Sequence, residues 1–157
     1  MDEIVVEQFI PSDKPKSFCK MLHKLAIIFA IVGFPMLVLA IVVGIAMEIG
    51  AILLFISSYL FYVDFEYEMF EGTITITKIY YASIRRIKKK ILKEQVVKVY
   101  KTPKNEQYSK KGFYNTNING LVIYTLVLSN KSKIQLALDE KFEKMVTITY
   151  RQQLANN

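Results

Sequence analysis

The sequence predicts a membrane α-helical hairpin followed by an α+β domain, in which a strongly curved antiparallel sheet is closed by a C-terminal helix. Three observations predict it. An apolar run of 39 residues, Leu25 to Val63, is broken by a single charge, Glu48. That is too long for one crossing of a hydrocarbon core, which takes roughly 20 residues, and suits two crossings joined by a tight turn. From Asp64 onward apolar and polar residues alternate with period two, the mark of half-buried strands. After Asp139 the period changes to that of a helix.

Residues 1–24 are polar, contain Pro11 and Pro15 and show no period, so they read as a short, partly disordered tail ending at the membrane surface. The first crossing, Leu25 to about Val43, has no polar side chain. Leu, Ile, Phe and Val each favour insertion by roughly 0.3–0.6 kcal/mol. Pro35 falls mid-span and removes one backbone hydrogen bond, which predicts a kink. The second crossing, Ile49–Val63, is short: its 15 residues make about 22 Å of helix against a core of roughly 30 Å. It reaches full length by starting near Ile45, with Glu48 at headgroup level, and by borrowing Phe65 or Tyr67. Gly44 and Gly50 flank Glu48 and suit the turn. A re-entrant hairpin and a single long helix are the alternatives. A cleaved signal peptide fits poorly, because acidic residues precede the span and a second span follows.

Lys14, Lys16, Lys20 and Lys24 precede the first crossing, and Arg85, Arg86, Lys88, Lys89 and Lys90 follow the second; the turn has no basic residue. The inward bias of Lys and Arg near spans then puts both termini in the cytoplasm. One cysteine, Cys19, agrees with a reducing compartment. The expected organisation is a cytoplasmic tail (1–24), a transmembrane hairpin (25–63) and a cytoplasmic domain (64–157).

Within that domain Phe65, Tyr67 and Met69 alternate with Glu66 and Glu68, Glu71-Gly72 signals a turn, and residues 73–77 alternate Thr with Ile. Val96–Tyr100 fits another strand. Thr102 to Asn119 is a loop by composition. Leu121–Ser129 is strongly β-prone, residues 130–132 turn it, and Lys133–Leu138 returns as its partner. Asp139 then caps a helix whose apolar face is Phe142, Met145, Val146, Thr149 and Tyr150. Residues 83–92 are ambiguous, because Ile84, Ile87 and Ile91 sit at helical spacing between basic residues. A helix there would be a basic interfacial segment, and a strand would be an edge guarded by lysines. The strand is preferred, since both neighbours are strands separated by short turns.

The chain resembles a family of small membrane proteins of Gram-positive anaerobic bacteria, in which a two-helix hairpin precedes a β domain related to bacterial pleckstrin-homology (PH-like) domains. The stretches that carry the resemblance are Met1 to Phe9, Phe65 to Ile79, the basic run Arg85–Lys90 and the strand–strand–helix ending. It covers nearly the whole chain. The resemblance implies a PH-like antiparallel β-sandwich or barrel of about seven strands capped by a C-terminal helix. It brings no catalytic residues. Acidic residues are expected in related stretches where this chain has Thr75 and Thr77.

Enzyme chemistry lacks its parts. The chain has one histidine, His23, and one cysteine, Cys19, and no phosphate-cradling glycine motif. A catalytic triad needs more partners than these. Cys19 and His23 stand at i, i+4, but no third His or Cys exists to complete a zinc site. No cofactor, metal or catalytic residue is expected. Glu48, as an intramembrane acid, is a functional candidate in principle; its place in the turn makes exposure at the outer surface the simpler reading.

The basic balance is more informative. Residues 78–111 hold twelve Lys or Arg against Glu94 and Glu106, a formal +10. Such a patch suits nucleic acid or anionic lipid, and the membrane anchor favours lipid over nucleic acid. The chain leaves the bilayer near Asp64, turns at Gly72 and returns by residues 80–83, so Arg85–Lys90 start beside the headgroups. There each charge adds roughly 1 kcal/mol of attraction to an anionic leaflet. The candidate lipid-binding residues are Arg85, Arg86, Lys88, Lys89 and Lys90, with topology enforcement as their alternative role. Two functions follow: a non-enzymatic scaffold that binds lipid or protein at the cytoplasmic leaflet, or an accessory subunit of a membrane transport, secretion or envelope complex. The second would use the small residues Gly33, Ala40, Gly44, Gly50 and Ala51 for close helix contacts with a protein partner or a second copy, with packing inside the hairpin itself as their alternative role.

Overall fold

The computed structural model describes residues 5–107, 112–116 and 118–154. They form two units: one of residues 12–63 and 80–84, the other of residues 5–11, 64–79 and those from Arg85 on.

The first unit is a helical hairpin. Helix α1 (Lys16–Leu39) and helix α2 (Ile41–Leu60) have 24 and 20 residues, about 36 and 30 Å at 1.5 Å per residue. Ala40 alone separates them, with φ −151° and ψ 81°. Its N–H still donates to Met36 O at 2.8 Å, and its carbonyl accepts from Gly44 N–H at 3.0 Å. Contacts then step away from the reversal in antiparallel order. Gly44 meets Leu37, Gly33 meets Met47 and Glu48, and Gly50 meets Phe29. His23 meets Phe55 and Tyr59, and Phe18 meets Phe61.

The reversal at Ala40 corrects the expected turn between Gly44 and Gly50. A Cβ on Gly44 would lie 2.4 Å from Leu37 N and 2.7 Å from Leu37 Cα. That glycine therefore serves close approach of the two backbones, not a bend. As a consequence α2 reaches full length without borrowing from the following strand. Glu48 becomes the eighth residue of α2, about 12 Å along the helix from the reversal, and not a residue of the turn. α1 also begins at Lys16, so residues 16–24 extend a helix that the sequence reading starts at Leu25.

The second unit holds seven strands in two sheets: β1 (Val6–Ile10), β2 (Val63–Phe70), β3 (Thr73–Tyr80) and β4 (Ile84–Ile91) in one, β5 (Val96–Lys101), β6 (Val122–Leu128) and β7 (Lys133–Leu138) in the other, each in that spatial order. β1 differs from the partly disordered tail expected there. Val6, Gln8 and Ile10 point inward and the residues between them outward, and the strand pairs antiparallel with β2 from Val6↔Met69 to Ile10↔Phe65. The hairpin is thus inserted between the first two strands of one sheet. Glu71 and Gly72 both have positive φ, 47° and 79°, the geometry of a two-residue hairpin turn whose twist suits antiparallel strands. β6 pairs antiparallel with both β5 and β7.

Helix α3 (Glu140–Thr149) starts where expected: Asp139 Oδ1 accepts from Phe142 N–H at 2.7 Å. Phe142, Val146 and Tyr150 are fully buried, with Tyr67, Met69, Ile74, Ile76, Leu126, Leu136 and Leu138. The Tyr67 ring meets Phe142 edge-on at 5.9 Å, and the Tyr150 hydroxyl donates to Gly72 O at 2.6 Å. Gln8 braces the unit. Its Nε2 donates to Ala137 O (2.9 Å) and its Oε1 accepts from Asp139 N–H (3.0 Å). Beyond α3, Gln153 O accepts from Val99 N–H at 2.9 Å, and Leu154 bridges Val99 in parallel.

Candidate functional site

The basic run is a strand. β4 carries Arg85, Arg86, Lys88, Lys89 and Lys90 at the edge of the four-stranded sheet. The helical spacing of Ile84, Ile87 and Ile91 misleads, because Ile84 and Ile87 are 45% and 70% exposed and only Ile91 is buried. Alternation puts Arg86, Lys88 and Lys90 on one face with Ile84, and Arg85 and Lys89 on the other with Ile87. All five cations therefore lie on one strand, and all but the half-buried Lys89 are exposed. Arg85 Nη1 reaches Glu66 Oε2 at 3.2 Å, with side chains 67% and 24% exposed. An ion pair so open to solvent contributes about 0–1 kcal/mol and leaves the strand strongly cationic.

The turn that delivers β4 belongs to the helical unit. Tyr81 and Ala82 both have positive φ, 52° and 56°, a conformation that costs a side-chain-bearing residue roughly 1–2 kcal/mol. Local bonds hold it: Tyr81 N–H donates to Tyr62 O (2.9 Å), and Ser83 N–H to Tyr80 O (3.1 Å). The Tyr81 ring lies 5.1 Å from Tyr59 and 6.4 Å from His23, and His23 lies 5.0 Å from Phe55. An aromatic cluster at the open end of the hairpin thus anchors the chain four residues before Arg85. The sequence reading missed Tyr81; its signal was two aromatic residues, Tyr80 and Tyr81, at the return point.

The rest of the basic stretch is dispersed. Lys78 Nζ sits 5.0 Å over the Phe65 ring, and Lys98 Nζ sits 5.5 Å over Tyr100. Lys110 and Lys111 lie outside the described residues, as do Met1–Ile4. Lys98, Tyr100, Glu106 and Lys133 line a surface depression of about 340 Å³ that charge counting did not single out. Its acid, Glu106, accepts from the Tyr100 hydroxyl at 3.2 Å.

Cys19 is buried, and His23 Nδ1 is buried without a hydrogen-bond partner among the described residues. No group of three or more His, Cys, Asp or Glu converges among those residues. Burial pushes the Tyr150 and Tyr124 phenols up to about 12, helped at Tyr124 by its 2.8 Å bond to Glu143 Oε1 and at Tyr150 by the charge of Glu94. Burial raises Tyr67 further still. These phenols stay neutral near pH 7 and serve packing.

Compared with known proteins, the chain matches no family model, no curated sequence and no solved structure.

Proposed function

We propose that the chain is a non-enzymatic, multi-pass membrane protein that holds a PH-like domain at the cytoplasmic leaflet, where β4 binds anionic lipid headgroups. One observation carries the reading: two apolar, largely uncovered helices end beside the turn from which the basic strand starts. α1 and α2 are each long and apolar enough to cross a membrane. Phe34, Val38 and Val42 are 74%, 88% and 76% exposed. A contiguous apolar surface of that kind is a liability in water and natural in lipid, where the helices satisfy their own backbone groups. With the reversal at Ala40, all flanking Lys and Arg fall on one side, which the positive-inside rule makes the cytoplasm.

The PH-like assignment is supported by the seven strands and C-terminal helix of the described residues, the strand number and ending implied by the resemblance to the Gram-positive hairpin proteins. A binding role is supported by the inventory: one histidine packed among aromatic rings and one buried cysteine. Five cations within six residues, at roughly 1 kcal/mol each near an anionic leaflet, can hold the strand against lipid.

The test uses the full chain as Cys19→Ser, with Ile87→Cys carrying an environment-sensitive fluorophore, in lipid nanodiscs. With about 30% anionic lipid the emission should shift to the blue relative to neutral lipid, and about 0.5 M salt should reverse the shift. Replacing the five cations by Gln should abolish it. Equal emission on neutral and anionic discs would end the lipid reading.

A further inference from the structure

We infer that the groove beside Glu48 is the docking site for the transmembrane helix of another protein, one bearing a Lys or Arg at the depth of Glu48. The inference rests on the membrane hairpin proposed above and names the kind of partner that such a hairpin takes.

The reversal at Ala40 moves Glu48 from the tip into the body of α2, about 12 Å from the turn. Between Lys24 and Asp64 it is the sole charged residue. Its carboxylate packs over Gly33, where a Cβ would stand 2.9 Å from Oε1. No hydrogen bond or ion pair reaches its side chain among the described residues. A carboxylate at that depth is expensive in lipid, and acids retained there face a cation, a donor or water.

The space beside it is shaped for a helix. Ala26 and Ala30 from α1 and Ala51 and Phe55 from α2 line, with Glu48, a groove of about 250 Å³ that runs between the helices. Ala26 and Ala30 are one turn apart on α1, and Glu48, Ala51 and Phe55 follow one face of α2. Small side chains on both walls let a third backbone come close, and the acid then meets a cation on that helix. Charge decides against a second copy as the occupant. The matching stretch of another copy offers no cation, only another Glu48.

The probe is a set of acceptor-labelled polyleucine transmembrane peptides, reconstituted in neutral vesicles with the full chain (Cys19→Ser, Ser132→Cys, donor-labelled). One peptide has a single Lys about eight residues from its outer end, one has that Lys moved by seven residues, and one has Leu throughout. Energy transfer should give the first peptide about tenfold tighter association than the others, the factor an interhelical polar contact supplies. Glu48→Gln should erase the preference. Ala30→Leu, which fills the groove and keeps the charge, should weaken binding of the first peptide as well. Equal binding of the three peptides, or a preference that survives Glu48→Gln, overturns the inference. So does transfer between donor-labelled and acceptor-labelled copies of the chain, mixed without peptide, that Glu48→Gln abolishes, since that gives the groove to a homodimer. Loss of the chain from carbonate-washed vesicles would defeat the membrane reading itself, whereas retention without a Lys preference defeats only the docking site.

Discussion

Replacing Gln8 by Leu should destabilise the β domain as severely as removing a core side chain. The Gln8 amide works like a peptide group borrowed from β1. It donates to Ala137 O at 2.9 Å and accepts from Asp139 N–H at 3.0 Å, and it is only 5% exposed. Phe113 N–H donates to Gln135 O at 3.0 Å, so the carbonyls of alternate β7 residues face away from β6, and the Ala137 carbonyl has no ladder partner to fall back on. Leucine fills similar space and leaves both backbone groups unpaired, the Ala137 carbonyl fully buried and the Asp139 N–H partly so. Each orphan costs about 1–3 kcal/mol, or about 3 kcal/mol for the pair after the gain from an apolar side chain. For a domain near 100 residues that lowers Tm by roughly 12–24 °C. The assay is near-UV circular dichroism of the full chain in detergent. With ten Tyr and no Trp the signal reports tyrosine packing, and the micelle holds the helices. Glu7→Gln is the control. Glu7 is exposed and stands opposite Glu68 across the β1–β2 pair, so losing its charge should be neutral or slightly stabilising. A loss of less than about 3 °C for Gln8→Leu would refute the claim that β1 is built into the domain.

Three further outcomes are expected. Tyr150→Phe removes the bond to the buried Gly72 carbonyl and should cost about 1–3 kcal/mol by the same thermal assay. In the parent chain Tyr124 and Tyr150 have phenols raised to about 12 in the fold, against about 10 when unfolded. Their contribution is fully present below pH 10 and is lost as pH rises through about 12, so alkaline titration should leave stability flat to about pH 10 and then reduce it, less steeply in Tyr150→Phe. Gly44→Leu would drive a Cβ to 2.4 Å from Leu37 N. It should slow disulfide formation between Ala26→Cys and Ala51→Cys severalfold in a Cys19→Ser chain, read on a non-reducing gel.

The elements legible in the sequence were those whose pattern and ends agree. β2 and β3 alternate around a Glu-Gly turn, β7 spans Lys133–Leu138 as its composition suggests, and α3 opens on an Asp cap. β1 was hidden, because five residues give too little alternation to stand out, and its partner lies beyond two helices. The hairpin itself was evident from hydropathy, but its turn was not. Gly44 looks like a bend and acts as a backbone contact, while an ordinary alanine makes the reversal. That displacement hid Glu48, which the sequence put at the membrane surface. The basic strand was legible as a charge run and ambiguous as structure, because Ile84 and Ile87 mimic a helical stripe without being core. What anchors its approach, the packing of Tyr81 on Tyr59 and His23, depends on a contact between distant segments that no local pattern encodes.

The most direct test of the membrane-anchored account is substituted-cysteine labelling with a membrane-impermeant maleimide, in intact cells and after lysis, on a Cys19→Ser background. Ala40→Cys, at the reversal between α1 and α2, should label in intact cells. Ser132→Cys, half-buried in the turn between β6 and β7, should label only after lysis. That pattern is required of a hairpin whose ends and β domain face the cytoplasm. Labelling of Ser132→Cys in intact cells, with Ala40→Cys protected until lysis, would contradict the account.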